Sequence, residues 1–224
     1  MTNILHIDTS ARRVDNDIRA HNSISKTLAA CFVDKWLTLN EQHKVTYRDL
    51  GVNPPEFITQ DWIAAVFTPD EKKTDEQKSL LILSNKLIDE VDQAEIIVIS
   101  SPMYNYGMPA VLKAWFDQVV RINKTFSFDL SRGDFPLEPI MSGKKLILIT
   151  SSGEFGFEIG GIREKMNHLA PHIETLGKYL GVEEFHEIKS EYQEFNDERH
   201  AKSLEEAHLS IDKVVKKLSE SILK

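Results

Sequence analysis

The chain has 224 residues, 41% of them hydrophobic and 28% charged, which suits one domain spanning residues 1–224 and excludes a largely disordered chain. A formal net charge of −8 argues against a nucleic-acid binder and suits a protein with small-molecule ligands. One cysteine, Cys31, leaves no intrachain disulfide and no thiolate zinc cage; with no signal-peptide pattern in "MTNILHID" and no apolar run of membrane-spanning length, the expected location is a reducing cytoplasm.

Strand-like and helix-like patterns alternate, the signature of an α/β fold whose parallel sheet is covered on both faces. Ile4 to Asp8 reads as the first strand. Ile24, Leu28, Cys31, Phe32, Trp36 and Leu39 then recur at helical spacing, which makes Cys31 a small core residue. "KVTYRDL" is the second strand, and Leu80, Leu83, Leu87, Ile88 and Val91 mark the next helix. "EIIVIS" from Glu95 is a continuous apolar run, as a central parallel strand requires. Leu112, Trp115, Phe116, Val119 and Val120 form another helical stripe. "KKLILIT" from Lys144 is the fourth strand, a helix near Pro171 to Leu180 follows, and "VEEFHEIKS" is the fifth. An amphipathic pattern from Leu204 to Ile222 closes the chain. Residues 51–78 and the hairpin-like "TFSFDLSRGDFPLEP" fall outside this rhythm.

In an open parallel sheet, ligands sit beyond the carboxyl ends of the strands. Three loops leave such ends. The first has Ser10 directly after a strand and Ser23, Ile24 and Ser25 where the next helix starts. Serines there cap a helix; hydroxyls, free backbone N–H groups and the helix dipole also make a phosphate site. The loop lacks Gly-x-Gly-x-x-Gly and Gly-Lys-Ser/Thr, which argues against an ordinary dinucleotide site or a P-loop. The second loop, "PMYNYG", starts at Pro102. Met103 and Tyr104 offer contact surface, Asn105 offers donor and acceptor atoms, and Gly107 is expected to permit the tight backbone. Such a loop can cover one face of a planar ring while its N–H groups meet the ring's edge. The third loop, "TSSGEFG", is glycine-rich, so its backbone can approach a ligand closely. No His, Asp or Glu cluster has metal-ligand spacing, and the loops need no protein nucleophile.

The chain resembles the FMN-dependent NADH azoreductase / NADH:quinone oxidoreductase family over essentially its whole length. The marks are "PMYN" followed by an aromatic, Pro102 to Tyr106, ahead of "LKAWFDQVVR", together with "SGKKLILITSSG" and "MNHLAPHIETLGKYLGV". The resemblance implies a flavodoxin-like, doubly wound five-stranded sheet of order 2-1-3-4-5, and a homodimer with one FMN per subunit. FMN at the switch between strands 1 and 3 is a general property of that architecture. Its phosphate would lie against Ser10, Ser23, Ile24 and Ser25. Its ring would meet Pro102, Met103, Tyr104, Asn105 and Tyr106 on one side, and Ser151, Ser152, Gly153 and Glu154 on the other. Two departures stand out: a long 11–22 loop carrying Arg12, Arg13 and Arg19, and Ser152-Gly153-Glu154 where the family often has Arg-Gly-Gly.

The implied activity is two-electron ping-pong transfer from NADH through flavin N5 to quinones or azo compounds, an azo bond being cleaved to two amines over two cycles. No side chain is assigned as catalytic. His168 is a candidate proton donor by its titration range, against a structural role near a helix start. The alternatives are an NAD(P)H:FMN reductase and a flavodoxin-type electron carrier. Residues 51–78 and 125–140 favour an enzyme, because they can wall a pocket. Phe57, Trp62, Val66, Phe67, Phe126 and Phe128 in these segments exceed what isolated loops bury, which also favours a dimer.

Overall fold

Five strands align side by side with every neighbouring pair parallel, which brings all their carboxyl ends to one edge. The computed structural model describes residues 1–222, with side chains described through Glu220. The strands are β1 (Asn3–Asp8), β2 (Lys44–Asp49), β3 (Ile96–Pro102), β6 (Lys144–Ser151) and β7 (Val182–Ser190). Between β3 and β6 lie β4 (Phe126–Phe128) and β5 (Leu137–Pro139), which pair antiparallel in a ribbon of their own. Numbered along the chain, the order is therefore β2-β1-β3-β6-β7 and not 2-1-3-4-5. The two intervening strands account for the difference, since neither joins the large sheet.

The helices are α1 (Ile24–Leu37), α2 (Gln60–Phe67), α3 (Asp75–Leu80), α4 (Ile82–Gln93), α5 (Ala110–Val119), α6 (Ala170–Gly177) and α7 (Glu198–Ile222). Alternation along the strands sends Leu5, Ile7, Ile97, Ile99, Leu146 and Leu148 to one face, against Leu87, Leu112, Trp115, Phe116 and Ile173 of α4, α5 and α6. Ile4, Val98, Ile147 and Ile149 face the other way, onto Phe32 and Trp36 of α1 and Ile211 and Leu218 of α7. Full burial of such a side chain stabilises the fold by roughly 1.5–3 kcal/mol. The side chain of Ile222 lies outside the described residues.

Three expectations change. Leu80 and Leu83 do not share a helix, because the chain turns at Leu81 between α3 and α4. Leu39 lies past the end of α1 and is exposed. Trp62 and Val66 are covered within the chain, packing with Ile58, Ala65 and Leu81, and Phe126 meets Tyr179 edge-on at 5.6 Å. Phe57 and Phe67 remain exposed at 71% and 69%.

Candidate functional site

β1 delivers the chain into the first loop through Thr9, whose N–H and hydroxyl both bond the Ser100 carbonyl, at 3.1 and 2.8 Å. Ser10 follows, buried, with its Oγ accepting from the Arg12 N–H at 3.1 Å. Gly51 backs directly onto it: a Cβ there would lie 2.0 Å from the Ser10 carbonyl oxygen. Only glycine permits that approach. Ser23 caps α1, its Oγ accepting from the Lys26 N–H at 3.3 Å and lying 3.4 Å from Ser25 Oγ. The first N–H groups of a helix have no intrahelical acceptor. Those of Ile24 and Ser25 find none among the described residues. Two free N–H groups, buried hydroxyls and the positive end of a fourteen-residue helix together suit an anion.

The second loop is a two-residue reverse turn. Tyr104 and Gly107 exchange N–H to carbonyl bonds, each 3.0 Å, and the central residues Asn105 and Tyr106 have φ of 48° and 67°. This is the type I′ pattern, in which asparagine is favoured at the first central position. The expectation that Gly107 supplies the unusual backbone is corrected: the left-handed residues are Asn105 and Tyr106. A non-glycine residue in that region costs roughly 1–2 kcal/mol. Surrounding contacts hold it. Met103 N–H bonds the Ser151 carbonyl at 2.8 Å, His168 N–H bonds the Tyr106 carbonyl at 2.9 Å, and Tyr104 Oη accepts from the Ala11 N–H at 3.3 Å. The N–H groups of Asn105 and Tyr106 are left without acceptors among the described residues.

The third loop is pinned by a fourth that the sequence reading did not include, the one after β7. Gln193 and Glu194 N–H groups bond the carbonyls of Ser152 and Gly153, and Tyr192 N–H bonds that of Glu154. A Cβ on Gly153 would lie 2.5 Å from Glu194 Cγ. Phe155 and Tyr192 stack at 4.4 Å, with Arg163 4.8 Å over the Phe155 ring. The Glu154 carboxylate is paired with Arg163 at 2.8 Å and accepts from Tyr106 Oη at 3.1 Å. That hydrogen bond, and then the carboxylate's charge, raise the Tyr106 hydroxyl above the ordinary tyrosine range.

Beneath these loops sits a buried polar cluster. The Asp8 carboxylate accepts from Ser100 Oγ at 2.6 Å and Tyr47 Oη at 2.8 Å, and lies 3.0 Å from His6 Nε2. Burial alone pushes its carboxyl up. The His6 hydrogen bond and charge, with the Ser100 and Tyr47 hydroxyls, outweigh that and hold it below the usual carboxylate range. His6 thus serves as a buried partner of Asp8. His168 is exposed and its ring makes no hydrogen bond among the described residues; only its backbone engages the second loop.

One cleft of about 120 Å3 is walled by Ser10, Ser23, Ile24, Pro102, Met103, Tyr104, Ser151 and Gly153, joined by Arg12, Asn22, Gln193 and Glu194. The three loops therefore meet, and the phosphate-type and ring-type residues share one wall. The model of the flavodoxin-like fold family matches residues 2–215. An "FMN-dependent NADH:quinone oxidoreductase 2" of Colwellia psychrerythraea is 78% identical over 218 residues, covering 97% of this chain and 100% of that one. The chain belongs to this family. Its namesake in Idiomarina loihiensis is 66% identical, over 92% of this chain and 86% of that one. Among solved structures, an FMN-dependent NADH-azoreductase from Bacillus anthracis in complex with FMN superposes with a TM-score of 0.82 at 16% identity, covering 97% of this chain and 99% of that one, a likeness of fold.

Within the family's frame, Ser25, Asn105, Tyr106, Ser152 and Glu154 do not line the small cleft itself. Ser25 is wholly buried behind Ser23, whereas Asn105, Tyr106 and Glu154 stand at the outer rim, linked through Tyr106. Gln193, Glu194 and Arg163 went unread in the sequence. The signal for the first two was available: β7 also ends at the ligand edge, so its loop belongs with the others.

Proposed function

We propose that this chain is an FMN-dependent NADH oxidoreductase that reduces quinones and azo compounds, with FMN lying across the carboxyl edge of the sheet. The observation that carries the site assignment is the shared wall: one cleft joins the N-terminus of α1 to the loop after β3. The residues fit the cofactor. Free N–H groups of Ile24 and Ser25, with Ser10 and Ser23, suit its phosphate, and free N–H groups of Asn105 and Tyr106 suit a polar ring edge.

FMN supplies hydride acceptance and release when bound. The protein's part is to hold, orient and polarise. Ser10, Ser23, Ile24 and Ser25 would hold the phosphate end. Pro102, Met103 and Tyr104 would back the ring, and the Asn105 and Tyr106 N–H groups would donate to its edge. Ser151, Ser152, Gly153 and Glu154 would close the far side. Arg163 pairs with Glu154 at 2.8 Å, so the carboxylate gained in this segment would leave little net charge over the ring. No side chain is needed as a nucleophile.

A loop that covers one face leaves the other for donor and acceptor in turn. Steady-state NADH oxidation with a quinone should give parallel double-reciprocal lines without a partner reductase, and the purified protein should be yellow and release FMN on denaturation. Intersecting lines, or FAD in the supernatant, would overturn the assignment. The chain acts as one flavin-binding domain, in the cytoplasm, as a homodimer. Phe57, Phe67, Leu130 and Phe135, each at least 69% exposed, favour a covered accessory surface. Sedimentation at twice the 25.6 kDa chain mass is expected, and a fully active monomer would count against it. No described helix is long and apolar enough to cross a membrane.

A further inference from the structure

A second cavity of about 580 Å3 adjoins the first. The two share Arg12, Asn22, Ser23, Ile24, Gln193 and Glu194, so they meet at the N-terminus of α1. Beyond that junction the larger one is walled by the 19–21 stretch, α1 and α7, and it includes no residue of 102–106 or 151–154. It therefore continues from the phosphate end of the cleft, away from the ring loops. Its volume lies within the usual range of small-molecule sites.

Its wall carries two arginines although the protein carries a net charge of −8. Arg12, Arg19, His21, His200 and His208 line it, against one carboxylate, Glu194. Elsewhere arginines are spoken for. Arg13, Arg48, Arg132, Arg163 and Arg199 pair with carboxylates, and Arg121 bonds Ser84 and Asn85. Among the described residues only the Arg12 and Arg19 guanidiniums have no partner, and both line this cavity. The carboxamides of Gln193 and Asn196 also make no hydrogen bond, and His200, whose Nδ1 donates to the Glu191 carbonyl at 2.9 Å, keeps Nε2 free. Leu28 and Leu204 add apolar surface.

Unpaired guanidiniums suit a phosphate, free amides suit the polar edge of a base, and imidazole faces with leucines suit its flat surface. We propose that this cavity binds the adenosine 5′-phosphate moiety of a dinucleotide whose other half reaches the ring loops. The nicotinamide dinucleotide that donates hydride carries that moiety. The inference rests on the flavin site proposed above.

The test uses FMN-loaded protein. Calorimetry should show AMP binding, and Arg19→Glu should weaken it about tenfold or more. The same variant should raise KM for NADH about tenfold while leaving KM for reduced nicotinamide mononucleotide, which lacks the adenylate, unchanged. His208→Ala, an exposed position on α7, gives an independent variant with the same expected direction. AMP that competes with NADH assigns the cavity to the hydride donor. AMP that binds FMN-loaded protein without competing with NADH overturns that assignment. No AMP binding to FMN-loaded protein, or equal binding by parent and both variants, overturns the proposal. Quinone-dependent oxidation of reduced nicotinamide mononucleotide is read alongside: if it persists in that case the flavin assignment stands, and if it fails the flavin assignment itself is lost.

Discussion

The Tyr106 hydroxyl donates a 3.1 Å hydrogen bond to Glu154, tying the turn after β3 to the loop after β6. The two loops that would flank a flavin ring are thus joined across the mouth of the site, and Arg163 holds the carboxylate from its other oxygen. Tyr106→Phe removes the tie and leaves the Arg163 pair. Because the site is exposed, the melting temperature should stay within a few degrees of the parent. Loss of FMN on dilution, followed by flavin fluorescence, should become several-fold faster. An unchanged release rate would show that the latch does not retain the cofactor.

Replacing both Ser23 and Ser25 with Ala removes the α1 cap and two buried hydroxyls but keeps the helix N–H groups. Hydrogen bonds to charged groups contribute roughly 1.5–3 kcal/mol each, so FMN affinity should fall at least about tenfold. The fold should survive, since a cap contributes about 1 kcal/mol. Equal affinity in the double variant, measured by flavin titration of apoprotein, would place the phosphate elsewhere.

Asn105 sits at φ 48° in a turn that favours asparagine or glycine. Asn105→Gly should therefore leave stability almost unchanged, while Asn105→Val, β-branched in the left-handed region, should destabilise by about 1–2 kcal/mol or more. Asn105→Ala tests function: stopped-flow reduction by NADH should slow more than FMN affinity weakens, because the phosphate grip is on another loop. Matching losses in both would mean that Asn105 only positions the cofactor.

The Asp8 carboxyl is held below the usual carboxylate range by its three partners. The folded state therefore binds that proton less readily than the unfolded chain does. Its stabilisation is complete above the unfolded value, about 3.9, and disappears as pH falls through the lower folded value. Asp8→Asn should lower stability near neutral pH by about 1–3 kcal/mol and flatten the acid limb. Urea midpoints collected between roughly pH 3 and pH 7 check both. A variant with the parent's acid slope would assign that limb to other carboxylates.

Much of this architecture was legible in one dimension. A continuous apolar run such as Ile96–Ile99, bounded by polar residues and rich in β-branched side chains, reads as a strand buried on both faces, and the helical stripe through Leu28, Phe32 and Trp36 packs against it. Since alternating strands and helices force parallel pairing, the loops bearing Ser10, Met103 and Ser151 had to reach one edge. The resemblance carried by "PMYNY" then named the chemistry.

What the sequence determined, then, was local: periodicity, caps and the order of elements, each fixed by neighbours a few positions apart. Tertiary structure decided what depends on residues distant in the chain. Glu154 stands out in sequence as part of a departure from Arg-Gly-Gly, but only folding brings Arg163 against it. Gly107 reads as the turn's flexible residue, but contacts from Ser151 and His168 let Asn105 and Tyr106 take the left-handed backbone instead. Arg12 and Arg19 stand in sequence on a long loop, yet α7, nearly two hundred positions on, closes a cavity beside them. Charge pairing, backbone strain and enclosure are set by distance in space, and that distance exists only once the chain has folded.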